Sequence, residues 1–207
     1  MTEIQNMKTG TTTVGILCKD SVIIAAEKKA TMGYLVASKE AQKVYQLDDH
    51  IGITIAGGVA DAQAMIRLLK AQFKLYKLER GPITLKGAAN LLSNILHGSK
   101  YYPYMNQFIL AGYDTKPHAY SFDPLGAFDE EGEFVSTGSG SPFAYGVLED
   151  RYKAGLGTEE GIKLALSALK AAVERDIASG GKGFRVAVID KDGFKELTEQ
   201  EVKKYAA

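Results

Sequence analysis

Gly10-Thr11-Thr12-Thr13-Val14-Gly15, ten residues into the chain, is the most informative stretch of this sequence. A run of β-branched residues after a glycine is typical of the start of a β-strand. The stretch also suits a nucleophile, because a threonine at a free N terminus combines a hydroxyl with an amine whose pKa, about 7.7–8, lets it accept a proton near neutral pH. Thr11 has no free amine within the chain. If Thr11 is the nucleophile, the chain has to be cleaved between Gly10 and Thr11, with residues 1–10 as a propeptide and residues 11–207 as a single domain; an ordinary strand start is the alternative reading of this stretch.

The composition is that of an ordinary globular protein. Of the 207 residues, 45% are hydrophobic and 24% are charged, and 25 basic side chains balance 25 acidic ones. This balance favours neither nucleic acid nor a membrane as a partner, and the longest apolar runs, such as residues 22–26, are too short to span a bilayer. The single cysteine, Cys18, excludes an intrachain disulfide, and His50, His97 and His118 lack the spacing of metal ligands. We expect a cytoplasmic protein with no metal and no cofactor.

Alternating apolar residues predict strands in this chain, and three- to four-residue periodicity predicts helices. Strands are predicted at residues 11–19, 22–27, 44–47, 51–56, 107–113, 119–122, 133–136, 184–189 and 194–197, and helices at residues 61–80, 84–96, 158–178 and from residues 141 and 198. Tight turns between neighbouring strands imply antiparallel sheets. We therefore expect an α+β fold, a four-layer αββα sandwich with two antiparallel sheets between two helical layers.

The predicted helix at residues 158–178 carries one residue that does not fit its apolar stripe. The stripe consists of Ile162, Leu166, Leu169 and Val173. Asp176 takes the next position, and a carboxylate on a buried face is costly unless it is paired or hydrogen-bonded. Ser179 follows within one turn. A carboxylate and a hydroxyl pointing inward at a helix end suggest a functional site, with a simple local cap as the alternative.

Several motifs occur together along the chain in a characteristic order. They are Gly10–Gly15, Lys28-Lys29-Ala30-Thr31-Met32-Gly33, Lys43-Val44-Tyr45-Gln46, Ala56-Gly57-Gly58, Thr137-Gly138-Ser139-Gly140-Ser141, Tyr145-Gly146-Val147-Leu148-Glu149, and Arg175-Asp176 with Ser179-Gly180. This set resembles the β-type subunits of the proteasome, closest to archaeal forms. The resemblance runs from Gly10 to about Leu197, nearly the whole chain.

The resemblance implies the N-terminal nucleophile hydrolase fold and the activity of a threonine endopeptidase. Thr11 matches the nucleophile, freed by autocleavage after Gly10. Lys43 matches the lysine beside it, whose charge lowers the proton affinity of the threonine amine and hydroxyl. Gly57 matches the glycine whose backbone N–H stabilises the oxyanion. The hydroxyls and the acid that hold the threonine amine and a water are matched by Ser139, Asp176 and Ser179.

Glu27 departs from the family pattern, which places an aspartate there to orient the lysine. The extra methylene is expected to displace the carboxylate by roughly 1.5 Å, and an error of about 1 Å can cost about 10²-fold in an active site. Two readings therefore stay open. The chain is an active protease, or it is a ring-building β subunit that is catalytically weak or silent because of Glu27.

The resemblance also implies a substrate pocket and an assembly. The positions that match the pocket carry no charge, which favours cleavage after apolar residues; they are Ala30, Thr31, Ala41, Tyr45, Ile55, Gly57 and Val59. The assembly is a stack of two β rings between two α rings, which implies α-type subunits and other β subunits as partners. ATPase caps feed unfolded polypeptides into such a particle.

Two other enzyme classes have partial motifs here. Lys8-Thr9-Gly10 and Ser167-Ala168-Leu169-Lys170 match motifs of serine β-lactamases, but their order is reversed and Ser167 lies within a predicted helix. The glycines from Gly138 suggest a phosphate-binding loop, but Phe143 stands where the last glycine of that motif is required. Neither class is favoured.

Overall fold

The structure, a computed structural model, describes residues 10–206. Its strands are β1 (Thr13–Leu17), β2 (Ser21–Glu27), β3 (Ala30–Met32), β4 (Leu35–Ser38), β5 (Val44–Asp48), β6 (Ile51–Gly57), β7 (Asn106–Tyr113), β8 (Pro117–Phe122), β9 (Phe128–Glu130), β10 (Phe134–Thr137), β11 (Phe184–Asp190) and β12 (Gly193–Glu196). Its helices are α1 (Val59–Arg80), α2 (Leu85–Gly98), α3 (Ser141–Arg151), α4 (Thr158–Arg175) and α5 (Glu199–Ala206). Except for Gly10, the predicted propeptide lies outside the described residues.

The strands form two five-stranded antiparallel sheets. One has the order β10-β1-β2-β11-β12 and the other the order β5-β6-β7-β8-β9, while β3 and β4 make a separate hairpin. In the first sheet β2 is central, and Val14 pairs with Ala25 of β2 and Ser136 of β10. Because β1 begins at Thr13, this register places Thr11 just before the N-terminal end of β1, beside the C-terminal ends of β2 and β10.

Three apolar clusters fill the space between successive layers. The first joins α1 and α2 to the second sheet, and it includes Phe73, Leu92 and Phe108. The next lies between the sheets, where Ile24 and Ile189 meet Ile109. The last joins the first sheet to α3, α4 and α5. The order is therefore helices, sheet, sheet, helices, which confirms the predicted four-layer αββα sandwich.

Local capping signals mark the starts of α2 and α5. The Thr84 hydroxyl caps α2 by accepting a hydrogen bond from the Gly87 N–H (3.1 Å). Thr198 and Glu201 form the predicted capping box at the start of α5. No helix within residues 10–206 has the length and the apolar character that crossing a bilayer requires.

One predicted boundary was wrong in a way that affects the site. The helix expected to reach residue 178 ends at Arg175, and Asp176 is its C-cap in extended conformation. The Asp176 carboxylate accepts a hydrogen bond from the Ala178 N–H (3.3 Å), a turn that competes with continued helix. Asp176 is therefore half-buried at the start of a loop rather than buried on a helix face.

Candidate active site

Thr11 lies at the centre of a group of polar residues at one end of the strands of the first sheet. Its hydroxyl donates a hydrogen bond to the Gly10 carbonyl oxygen (2.7 Å). Its backbone N–H donates to Ser139 Oγ (3.2 Å). The Thr11 side chain is thus held against the peptide bond that precedes it, and the nitrogen that cleavage would convert into an amine already faces the Ser139 hydroxyl.

Glu27 and Lys43 form a buried ion pair beside Thr12, the residue that follows Thr11. The Lys43 ammonium donates to Glu27 Oε1, and the same oxygen accepts the Thr12 N–H (3.3 Å). Glu27 is 0% exposed and Lys43 5% exposed. Burial lowers the pKa of Lys43, an effect that the Glu27 carboxylate and, more weakly, Asp176 oppose. Glu27 therefore contacts Lys43, although its side chain is one methylene longer than that of aspartate.

The second oxygen of Glu27 binds two backbone groups. Glu27 Oε2 accepts the Lys29 N–H (2.7 Å) and the Gly180 N–H (2.9 Å). With Lys43 and Thr12 on the first oxygen, all four donors come from different parts of the chain. Through these contacts the Glu27 side chain connects the end of β2 with the loop that follows α4.

Ser139, Asp176 and Ser179 form a directed hydrogen-bond chain. Both serine hydroxyls donate to Asp176 Oδ2, Ser139 at 2.7 Å and Ser179 at 2.6 Å. Because each serine proton is used in this way, Ser139 Oγ is left as an acceptor for the Thr11 N–H, and Ser179 Oγ as an acceptor for the Thr12 hydroxyl (2.6 Å). The carboxylate thus orients acceptors toward both threonines.

Gly138 allows the backbone before Ser139 to approach Thr11. Its φ is +92°, a conformation that L side chains rarely adopt. A Cβ at this position would lie 2.2 Å from the Thr11 carbonyl oxygen. The glycine is therefore required by the close contact that brings Ser139 beside Thr11.

Gly57, at the end of β6, has its N–H directed away from the neighbouring strand β7. Gly57 pairs with Asn106, and the next residue, Gly58, donates its N–H to the Met105 carbonyl oxygen (3.1 Å). This bond makes Gly57 and Asn106 a non-hydrogen-bonded pair of the antiparallel ladder. The Gly57 N–H therefore points to the opposite edge of β6, on the side of β5.

On that side, no residue of β5 lies opposite Gly57. The Ile55 N–H donates to the Lys43 carbonyl (3.0 Å), and two residues further the register would bring Gly57 opposite Ala41. However, β5 starts only at Val44, and Ala41 donates its own N–H to Lys28 instead. The gap is part of a cavity, so the Gly57 N–H faces open space near Thr11 and Lys43.

This cavity has a volume of about 440 Å³ and includes every predicted pocket residue. They are Ala30, Thr31, Ala41, Tyr45, Ile55, Gly57 and Val59, and Gly10 and Thr11 lie at the same cavity. Among the described residues that line it, Lys43 carries the only charge, and that charge is engaged by Glu27. The space suits an apolar side chain held close to the Thr11 hydroxyl.

Sequence reasoning missed several residues of the site, among them Thr12 and Lys29. Thr12 is 0% exposed and contacts both Glu27 and Ser179, although it appeared only as part of a strand start. The Lys29 ammonium donates to the Ile177 carbonyl oxygen (2.6 Å), which fixes the loop between Asp176 and Ser179. A lysine next to another lysine is normally solvated, so the sequence carried no signal for this contact.

Comparison with known proteins identifies relatives along the whole chain. The chain is 54% identical to "Proteasome subunit beta" of Methanocaldococcus vulcanius over 94% of its own length and 88% of the relative. It is 49% identical to the protein of the same name from Methanosphaerula palustris, over 100% of this chain and 98% of the relative. The family model "Proteasome subunit" matches residues 7–189. The chain therefore belongs to the proteasome subunit family.

Proposed function

We propose that this chain is a β subunit of a proteasome core particle and a threonine endopeptidase whose nucleophile is Thr11. The observation that carries the proposal is the hydrogen bond from the Thr11 hydroxyl to the Gly10 carbonyl oxygen. In addition, the Thr11 N–H donates to Ser139 Oγ, and the Lys43–Glu27 ion pair contacts the next residue, Thr12. The β members of this family are generally threonine peptidases. A nucleophile, an orienting network and a cationic neighbour are the parts that acyl transfer needs.

Activation begins with cleavage of the chain before Thr11. Thr11 Oγ1 loses its proton as it attacks the Gly10 carbonyl carbon and forms the new C–O bond; the C–N bond to Thr11 then breaks, and the departing nitrogen takes up that proton. Water then hydrolyses the Gly10 ester, which leaves a carboxylate on Gly10 and a free amine on Thr11. The hydroxyl already lies 2.7 Å from the Gly10 carbonyl oxygen, so a small movement brings Oγ1 onto the carbon of the same carbonyl group.

The free amine then acts as the base for peptide hydrolysis. It accepts the proton of the Thr11 hydroxyl as the oxygen attacks a substrate carbonyl, and it passes that proton to the leaving amine. The positive charge of Lys43 stabilises the alkoxide, and the Gly57 N–H donates to the oxyanion. Hydrolysis of the acyl-threonine ester by water restores the site.

The assembly and the substrate follow from the same family. We propose partners of the α type and further β subunits in stacked rings, an ATPase cap that delivers unfolded polypeptide, and a location in the cytoplasm. Enclosing the site in such rings would keep a protease of broad specificity away from folded proteins. A reduced compartment is also consistent with Cys18, the single cysteine, which is buried and unpaired.

Degradation of an unfolded protein tests the proposal. Particles assembled from this chain and its α-type partner should convert casein into short peptides, and a peptide aldehyde that adds to the threonine hydroxyl should stop the reaction. Particles that assemble fully but release no peptide would contradict the proposal and favour a silent, ring-building subunit.

Glu27→Asp is expected to lower activity. Shortening the side chain by about 1.5 Å cannot keep all four donors on the carboxylate, so Lys43 or the loop at Gly180 loses its contact. We expect kcat to fall about tenfold and the melting temperature to decrease. Peptide hydrolysis and thermal unfolding of the assembled variant check this. A kcat above that of the wild type would mean that Glu27 itself limits the activity.

Ala41→Asp is expected to change the preferred residue before the cleaved bond. A carboxylate in the cavity would attract a basic side chain and repel an acidic one. We expect the ratio of kcat/KM for arginine over leucine substrates to rise at least about tenfold. Ala71→Asp is the matched control, because Ala71 is exposed on α1 and does not line the cavity. An unchanged ratio in Ala41→Asp would show that another surface selects the substrate.

A further inference from the structure

Gly10, the residue before the proposed cleavage, lies in a space that has no room for a side chain. A Cβ built at this position would lie 1.8 Å from Ala178 Cβ and 2.7 Å from Ser139 Oγ. Carbon atoms that are not bonded to each other do not approach so closely, so a side chain at residue 10 would force its surroundings to move. The proposed mechanism uses the carbonyl group of Gly10 but gives no role to Ala178.

Gly10 is held in this place from two directions. Its N–H donates a hydrogen bond to the Thr31 hydroxyl (3.4 Å), and its carbonyl oxygen accepts one from the Thr11 hydroxyl (2.7 Å). Gly10 is also buried. If residue 10 moved away from Ala178 to make room for a side chain, it would carry with it the carbonyl group that Thr11 attacks. The alignment of the hydroxyl with that carbonyl would then be lost.

The turn that carries Ala178 is fixed by several hydrogen bonds. The Ala178 N–H donates to Asp176 Oδ1 (3.3 Å), and the Ser179 N–H donates to the Asp176 carbonyl oxygen (3.1 Å). The Lys29 ammonium binds the carbonyl oxygen of Ile177 (2.6 Å). Because the same turn supplies the Asp176 carboxylate and the Ser179 hydroxyl to the site, a displacement of Ala178 would disturb that network as well.

The geometry points to Ala178 as a specificity-determining residue for self-cleavage: its Cβ fills the space that a side chain on residue 10 would need, and so restricts the position before Thr11 to glycine. The inference rests on the proposed function, in which the chain is cleaved between Gly10 and Thr11. The restriction applies to this first reaction alone, because residues 1–10 have left the site when other peptides are hydrolysed.

Gly10→Ala introduces the side chain, and Ala178→Gly tests whether Ala178 is what excludes it. We expect Gly10→Ala to slow the release of residues 1–10 by about 10²-fold, since a displacement of about 1 Å between reacting groups has an effect of that size. In chains that also carry Ala178→Gly, the factor by which Gly10→Ala slows release should be at least about tenfold smaller. Recovery should be incomplete, because Ser139 Oγ would still lie 2.7 Å from the added Cβ.

The four chains of this cycle are compared in particles assembled with the α-type partner, and intact-protein mass spectrometry follows the release of residues 1–10 over time. Ala154→Gly is the matched control for the second substitution, because Ala154 is an exposed alanine in the turn before α4 and is not among the residues nearest to a Cβ at residue 10. It should not accelerate release in the Gly10→Ala chain. If Gly10→Ala hinders assembly, relief of that defect by Ala178→Gly has the same meaning.

Two results would overturn the inference and leave the proposed protease intact. One is a Gly10→Ala chain that releases residues 1–10 at the rate of the wild type. The other is a defect of Gly10→Ala, in release or in assembly, that Ala178→Gly does not relieve, which would mean that the backbone freedom of glycine is the requirement. A wild-type chain that keeps residues 1–10 in complete particles would instead overturn the proposed function together with the inference.

Discussion

Particles that carry Thr11→Ala are expected to hydrolyse no peptide and to retain residues 1–10. Removing the nucleophile of a covalent hydrolase costs on the order of 10⁶-fold in kcat, which lies below detection for a peptide assay. The substitution removes a single side-chain hydrogen bond, from the hydroxyl to Gly10, so its effect on stability is expected to be about 1 kcal/mol. Assembly should therefore continue normally, as native mass measurements of the particle can verify.

Two further variants distinguish the loss of the nucleophile from the obstruction of the site by residues 1–10. A chain produced directly with alanine at position 11, without residues 1–10, has an open site and should still be inactive. Thr11→Ser keeps a hydroxyl beside the same amine and should retain measurable hydrolysis. Activity in the shortened alanine chain would show that another group is the nucleophile.

Lys43→Met is expected to reduce peptide hydrolysis by about 10²-fold or more and to prevent release of residues 1–10. The ammonium is the positive charge paired with Glu27 next to Thr12, and without it the alkoxide of Thr11 loses its electrostatic support. The variant also leaves the fully buried Glu27 carboxylate without its cation. Breaking a buried pair in this way typically costs about 3–5 kcal/mol, so the melting temperature should fall as well.

Two further variants separate the chemical loss from the loss of stability. Lys28→Met is the matched control, because Lys28 is also a buried lysine in an ion pair, but its partner Glu199 is exposed and lies outside the site. It should keep nearly full activity. Combining Lys43→Met with Glu27→Gln removes both buried charges and should recover much of the stability without recovering hydrolysis. If that double variant were active, the role of Lys43 would be structural only.

The sandwich was predictable because nearly every element has a strong local signal. Strands such as β2 and β11 contain unbroken runs of apolar residues, and helices such as α2 have a capping residue and a clear apolar face. The hairpin of β3 and β4 was not predicted, because its local sequence signal is weak. Leu35 and Val36 are exposed, so these short strands lack the alternation that burial on one face imposes.

The site was predictable only where its residues belong to recognisable motifs. Asp176 was identified by its poor fit to an apolar stripe, yet the carboxylate's own hydrogen bond to the Ala178 N–H ends the helix and places it in a loop. The fourfold coordination of Glu27 combines donors from residues 12, 29, 43 and 180. Contacts between such distant residues depend on sheet register, which a single sequence does not reveal.

The mass of the wild-type chain in assembled particles tests the central claim, that Thr11 becomes an N-terminal nucleophile, most directly. Intact-protein mass spectrometry should find a chain that begins at Thr11, with residues 1–10 absent, and Thr11→Ala particles prepared in parallel should contain the full-length chain. A full-length wild-type mass in complete particles would contradict the account, because the hydroxyl held against the Gly10 carbonyl would then perform no cleavage.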